Sequence, residues 1–103
     1  MKSFGDLVKQ AQKVQKQMEE AQAKLADERF EGSAGGGVVT AVVDGKQMLK
    51  SVTIKPEALK DADSSLLEDL IVAAVGEAQR TSEAHMTESL GKVTGGFGFK
   101  MPF

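Results

Sequence analysis

The chain has no cysteine, no tryptophan and no tyrosine in its 103 residues, and only two prolines and one histidine. Without cysteine, neither a disulfide framework nor a thiolate metal site can form. The single histidine, His85, excludes a multi-histidine site within one chain, and the sequence shows no nucleophile or base to partner it. A lone histidine on a helical seam is read as a packing or rim residue, so neither an enzyme nor a cofactor is expected. No run approaches the roughly 18 consecutive apolar residues of a membrane span, and no secretory leader pattern opens the chain. The expectation is a soluble, cytoplasmic protein with no membrane partner and no small-molecule substrate. Excess positive charge is missing as well: the formal net charge is −2 and the pI is near 5.4. Such a protein does not coat nucleic acid by overall charge, so only the placement of its charges can support that function. At this length it forms one domain, and a monomer of this size buries only part of its surface.

What the chain does have is organised around Val38 to Ile54, VVTAVVDGKQMLKSVTI, two β-strands joined at Asp44-Gly45. Val39, Ala41 and Val43 alternate with Val38, Thr40 and Val42, so both faces of the first arm read as largely apolar and in need of cover. Asp-Gly between β-branched runs predicts a tight hairpin turn with Gly45 at positive φ. The second arm, Met48 to Ile54, is interrupted by Lys50 and Ser51 and reads as less deeply buried. Upstream, Arg29 to Ser33 predicts a short first strand, and Gly35-Gly36-Gly37 a flexible turn or bulge. No Lys-Ser or Lys-Thr follows those glycines and no helix opens there, so a phosphate-binding loop is not supported.

Ser3 to about Glu28 is the clearest periodic stretch. Phe4, Ala11, Met18 and Leu25 recur every seven residues, with Leu7, Val14 and Ala21 three after each of the first three, which makes a continuous helical seam that needs a partner. Such a helix is roughly 39 Å long, whereas a seven-residue strand spans about 23 Å. One end must overhang the sheet, and it is the N-terminal half, since the C-terminal end leads into the strands. On the heptad wheel Lys2, Lys9 and Lys16 lie opposite the seam, with Lys13 beside them. After Ile54, Lys55-Pro56 ends the sheet, and Pro56 to Leu59 suggests a helical turn. The second long helix is expected to begin near Asp63 to Ser65, where Ser65-Leu-Leu-Glu68 has the capping-box form. Leu66, Leu67, Leu70, Ile71, Ala74, Val75 and Ala78 give it a broad face to cover the sheet. From Gln79 to Leu90 the stripe narrows to Ser82, His85, Met86, Ser89 and Leu90, a seam suited to pack on the overhanging half of the first helix. The methionines are read as core filler.

The tail, Thr94 to Phe103, reads TGGFGFKMPF and is too rich in glycine and apolar residues to be a helix. Its closing Gly98-Phe-Lys-Met-Pro-Phe103, the Leu67-Glu-Asp-Leu70 helix start, the Gly-rich entry to a hairpin at Asp-Gly, and the Lys/Gln/Met-rich opening helix together resemble the YbaB/EbfC nucleoid-associated proteins. The resemblance spans essentially the whole chain. It implies an α+β fold: a long N-terminal helix, a three-stranded antiparallel sheet with a hairpin and a long C-terminal helix, forming a homodimer with protruding, tweezer-like helical arms. Residues 1–94 would be the single domain and 95–103 a Gly/Phe-rich tail. The implied function is binding of double-stranded DNA with low sequence specificity, in the cytoplasm and nucleoid, with effects on nucleoid organisation or gene expression.

Charge placement agrees with that expectation. The first 17 residues carry four lysines against one aspartate, while residues 57 to 78 carry six acidic residues against one lysine. The candidate DNA-binding residues are therefore Lys2, Lys9, Lys13 and Lys16, with Arg80 and Lys92 on the facing helix. Lysine is a point charge that holds phosphates and does not read bases, and the chain has only two arginines, Arg29 and Arg80, so weak, salt-sensitive, nonspecific binding is expected. One departure from the family bears on the last helix: where many members have paired basic residues, Ala78-Gln79-Arg80-Thr81 offers one arginine, followed by Glu83 and Glu88. Two alternatives stand beside this reading. The lysines are the solvated face of an amphipathic helix, or the arms and the apolar tail, with Phe97, Phe99, Met101 and Phe103, form a protein-binding scaffold or chaperone-like holdase. Binding that fades with salt marks the DNA reading, and salt-resistant binding through the tail marks the holdase. Dimerisation is expected on physical grounds too, because two apolar sheet faces and two helices leave surface uncovered.

Overall fold

The structure, a computed structural model, describes residues 3–61 and 63–95. Its elements are α1 (Phe4–Asp27), β1 (Arg29–Ala34), β2 (Val39–Asp44), β3 (Leu49–Ile54), the short α2 (Ala58–Asp61) and α3 (Ser64–Gly95). This is the expected order of helix, three-stranded antiparallel sheet and helix.

Helix α1 forms where its periodicity places it. Ser3 takes extended backbone at the N-cap and its Oγ accepts a hydrogen bond from the Asp6 amide at 3.2 Å, while Asp6 and Lys24 suit the two ends of the helix dipole. The helix stops at Glu28, where the backbone turns extended. Arg29 closes that end: its Nη1 donates to the Ala26 and Glu28 carbonyls, each at 2.9 Å, and satisfies oxygens that the helix leaves open.

The strands run antiparallel in the order β1-β2-β3. Their register places Phe30, Gly32 and Ala34 opposite Val43, Ala41 and Val39, and Val52 and Ile54 opposite Ala41 and Val39. This is the inner face, and α3 lies over it. Val39, Ala41 and Ala74 are completely buried, and Leu67, Leu70, Ile71 and Val75 pack around them. Each buried valine contributes about 2 kcal/mol. Helix α3 approaches β1 so closely that a Cβ on Gly32 would stand 2.3 Å from the Ala74 carbonyl oxygen.

Several expectations are corrected. The outer face of the sheet is not apolar: Glu31, Val42 and Ser51 form one row across it and Ser33, Thr40 and Thr53 the next, leaving Val42 as its one apolar residue. Exposed apolar side chains lie on several elements instead: Phe4 is 81% and Leu7 52% exposed on α1, Met48 61% at the hairpin, and Val72 71% on α3. The hairpin is joined by the wider loop Gly45 to Met48, and the residue at positive φ is Gln47 (65°), not Gly45. Glycine is needed at 45 for another reason, since a Cβ there would sit 2.6 Å from the Leu25 carbonyl oxygen. The loop is shaped by α3, whose Gln79 Nε2 donates to the Gln47 carbonyl at 3.3 Å. Positive φ does govern the other turn, at Gly35, Gly36 and Gly37 (64°, 72° and 95°).

Helix α3 is capped by Asp63 instead of Ser65: Asp63 Oδ1 accepts from the Leu66 amide at 2.7 Å. At its other end it continues through Thr94 and Gly95, which the sequence placed in a non-helical tail. The remainder of the tail lies outside the described residues. The second half of α3 meets the C-terminal end of α1 and not its overhanging half: Ala21, Lys24, Leu25 and Glu28 share a crevice with His85, Ser89, Lys92 and Val93. Among the described residues, the N-terminal part of α1 therefore stands clear of the sheet and α3. The molecule measures 70 × 23 × 16 Å with a radius of gyration of 19.5 Å, against about 13 Å for a compact domain of this length.

Candidate nucleic-acid interface

The arm is anchored to the hairpin by a main-chain hydrogen bond. The Gly45 amide donates to the Leu25 carbonyl at 2.8 Å, so Lys16 stands about 13 Å and Lys9 about 24 Å out along the helix from that anchor. Lys9, Lys13 and Lys16 are all exposed. Lys2 lies outside the described residues. The other two candidates are not brought to the same place. Arg80 is exposed but is only two residues from Ser82, whose Oγ donates to the Asp44 carbonyl at 2.6 Å, so it sits level with the base. Lys92 lines the crevice between α1 and α3 and pairs with Glu88 across one helical turn at 3.5 Å. Both side chains of that pair are exposed, which makes it a weak bond, though it offsets the lysine's charge. Lys24 lines the same crevice and was not singled out from the sequence; its place in the last turn of α1 was the available signal. The six candidates thus separate into an arm group, a crevice residue and a base residue, with Lys2 undescribed.

This combination of a lysine-bearing helical arm and an acidic α/β base has known relatives. The model of the YbaB/EbfC DNA-binding family matches residues 1–97. The chain belongs to that family. A nucleoid-associated protein of Acetivibrio thermocellus is 47% identical over 96 residues, covering 93% of this chain and 85% of the relative. One from Granulibacter bethesdensis is 44% identical, with all of both chains covered. Among solved structures, an uncharacterized protein of Helicobacter pylori superposes with a TM-score of 0.75 over 85% of this chain and 92% of its own, at 18% identity. That last likeness speaks for the fold alone.

In this YbaB/EbfC chain the one histidine is part of the joint between the helices. His85 Nε2 contacts the Glu28 carboxylate at 2.5 Å and Ser89 Oγ at 3.3 Å, and its ring packs on Phe30 with centroids 5.1 Å apart. Carboxylate and hydroxyl meet the same ring nitrogen, whereas a relay needs the nucleophile on one nitrogen and the orienting acid on the other. The cluster ties α1, β1 and α3 together.

Asp44 is the buried charge of the base, 3% exposed. Burial works to raise its pKa, but its Oδ1 accepts from the Met48 amide at 3.0 Å and the Lys46 amide at 2.8 Å, and Lys50 Nζ lies 3.6 Å from Oδ2. The bonds to the charged form prevail, and the carboxyl is held below the ordinary aspartate value. Among the described residues, no helix is long and apolar enough to cross a membrane.

Proposed function

We propose that this protein is a nucleoid-associated, non-enzymatic DNA-binding protein of the cytoplasm, working as a homodimer that holds duplex DNA through phosphate contacts with low sequence specificity. Its domain spans residues 1–94, with 95–103 as an appended tail. The observation that carries the reading is the exposed row of Lys9, Lys13 and Lys16 on the part of α1 that stands clear of the base, while the acidic stretch of residues 57 to 78 belongs to the base. A duplex lying along the arm meets positive charge and is kept from the acidic end. Lysine ammonium groups neutralise phosphates without distinguishing bases, and Arg29, one of the two residues able to grip guanine in a fork, is engaged in closing α1. Membership of a DNA-binding family and two relatives named as nucleoid-associated proteins support the same conclusion.

The test is a titration of fluorescent duplex DNA with the wild type and with Lys9, Lys13 and Lys16 all changed to Gln, at two salt concentrations. The wild type is expected to lose affinity steeply with salt, and the triple variant to bind at least tenfold more weakly at low salt while keeping its helix content. No binding by the wild type at low salt would reject the reading.

A further inference from the structure

From Gly45 to Pro56 the chain carries three lysines, Lys46, Lys50 and Lys55, and no acidic residue; Glu57 then opens the acidic stretch. All three lysines are exposed, and the strand they flank, β3, is an edge of the sheet. They are not equivalent. Lys50 is the extra residue of a bulge, where Val42 faces Ser51 and Val43 faces Leu49, and its Nζ is drawn to Asp44. Lys46 and Lys55 have no ion-pair partner among the described residues. Lys55 continues the ladder, its amide donating to the Val38 carbonyl at 2.8 Å, so its side chain falls on the outer face with those of Ser51 and Thr53. We propose that the outer face of the sheet along β3, with Lys46 and Lys55 at its ends and the hydroxyls of Ser51 and Thr53 between them, is a second surface for the phosphate backbone of DNA. The proposal rests on the DNA-binding reading and adds to the arm a contact on the base.

Three observations favour phosphate as the occupant. The face is open: Glu31, Ser33, Ser51 and Thr53 are exposed, and α3 lies on the opposite side of the sheet. Its polar groups are of the kind that hold phosphate oxygens without reading bases, since lysine is joined by hydroxyls, Thr53 standing in a row with Thr40 and Ser33 across the three strands. Charge is also divided from one edge to the other. Glu31 of β1 and Glu77 of α3 line one crevice with Gly32, Ser33, Gly37 and Thr40, whereas the charged residues of β3 and its flanks up to Pro56 are lysines alone. Glu68 and Asp69 sit on α3, behind the sheet. A duplex on this face is therefore drawn toward β3.

The dimensions suit a duplex. Lys46 follows Gly45, whose amide is bonded to Leu25 at the root of the arm, so the surface begins where arm and base join. Lys55 stands six residues beyond Leu49, about 20 Å along the strand. Duplex DNA carries a charge about every 1.7 Å of its axis, so about twelve phosphates pass over that length. Both lysines find a phosphate without a fixed register, as binding of low sequence specificity requires.

The test compares four proteins in titrations of fluorescent duplex DNA over a series of salt concentrations: the wild type, Lys46→Gln/Lys55→Gln, the arm variant with Lys9, Lys13 and Lys16 changed to Gln, and a control, Lys60→Gln, whose exposed lysine lies inside the acidic stretch. Lys46→Gln/Lys55→Gln is expected to keep the helix content of the wild type and bind roughly threefold or more weakly at low salt. Its slope of log K against log salt should fall by up to about 1.8, from about 0.9 for each contact. Lys60→Gln is expected to match the wild type. Unchanged slope and affinity in Lys46→Gln/Lys55→Gln would overturn the proposal and leave these lysines as guards of an exposed sheet edge against strand pairing. A loss per lysine as large from Lys60→Gln would overturn it too, because the effect would then belong to net charge. The absence of native cysteine allows a direct measurement as well. Thr53→Cys carrying a photo-activated cross-linker is expected to couple to DNA several-fold more than Val72→Cys, exposed on α3 behind the sheet; equal coupling, or none by Thr53→Cys, would overturn the proposal. The arm is judged by its own variant: loss confined to the arm variant rejects this surface and keeps the arm, and loss confined to Lys46→Gln/Lys55→Gln does the reverse.

Discussion

Gly32 and Gly45 shape the molecule through the side chains they lack. Helix α3 presents the backbone of Ala74 and Ala78 to Gly32 at 2.3 and 2.4 Å from a built Cβ, and α1 presents Leu25 to Gly45 at 2.6 Å. In each case the nearest atom is main chain, which cannot rotate away. Gly45→Ala is therefore expected to cost about 1–3 kcal/mol in urea unfolding and Gly32→Ala at least as much. Gly91→Ala, where an added Cβ on the helix would meet no described atom within 4 Å, should gain up to about 1 kcal/mol. Asp44 carries the pH dependence. Its folded pKa is depressed, so its stabilisation is complete above the unfolded value of about 4 and is lost as pH falls through the lower folded value. Asp44→Asn keeps an acceptor oxygen but removes the charge that strengthens the bonds from the Lys46 and Met48 amides, and is expected to lose about 1–2 kcal/mol at pH 7, with the gap to wild type closing below about pH 4. Half-exposed Lys50 contributes little to that difference.

At the scale of elements, periodicity was a better guide than punctuation. The seven-residue repeat of α1 and the apolar face of α3 put both helices within a few residues of their observed ends. Local signals misled at the hairpin and at the α3 cap. Asp-Gly is a turn signal, but Asp44 instead closes the four-residue loop with its carboxylate, and Gln47 takes the left-handed conformation under the hold of Gln79. Asp63 and Ser65 are both good capping residues, and it is Asp63 whose carboxylate accepts from the Leu66 amide. Asp63→Ala is accordingly expected to lower the unfolding free energy by about 1 kcal/mol, whereas Ser65→Ala, on the exposed surface of the first turn, changes it by a few tenths. A larger loss for Ser65→Ala in denaturant titrations would reverse the assignment.

At the scale of the whole molecule, charge and shape act together. A protein of net charge −2 attracts DNA only where its charges are segregated by distance, and an extent of 70 Å gives that distance. Beyond a screening length of about 8 Å at physiological salt, the acidic base has little effect at the arm. The salt slope is the quantity that reports this: removing three phosphate-contacting lysines should reduce the slope of log K against log salt by up to about 2.7 per arm, from about 0.9 for each contact. A reduced affinity with an unchanged slope would show that the lysines act other than by phosphate contact.

The sequence by itself determined the elements, their order, the overhang of α1 and the separation of lysine from acid, because these depend on spacing along one chain and on the different rise of helix and strand. Only the tertiary structure decided which faces are spent. It showed that the second face of the sheet is polar, because register between strands sets which residues share a side. It placed Arg80 at the base and the α3 contact on the last turns of α1, because those positions follow from Ser82 on Asp44 and Gly45 on Leu25, contacts between residues far apart in sequence. The groove along α1 from Leu7 to Met18 follows from the same cause: among the described residues, the crevice shared with α3 lies on α1 from Ala21 onward.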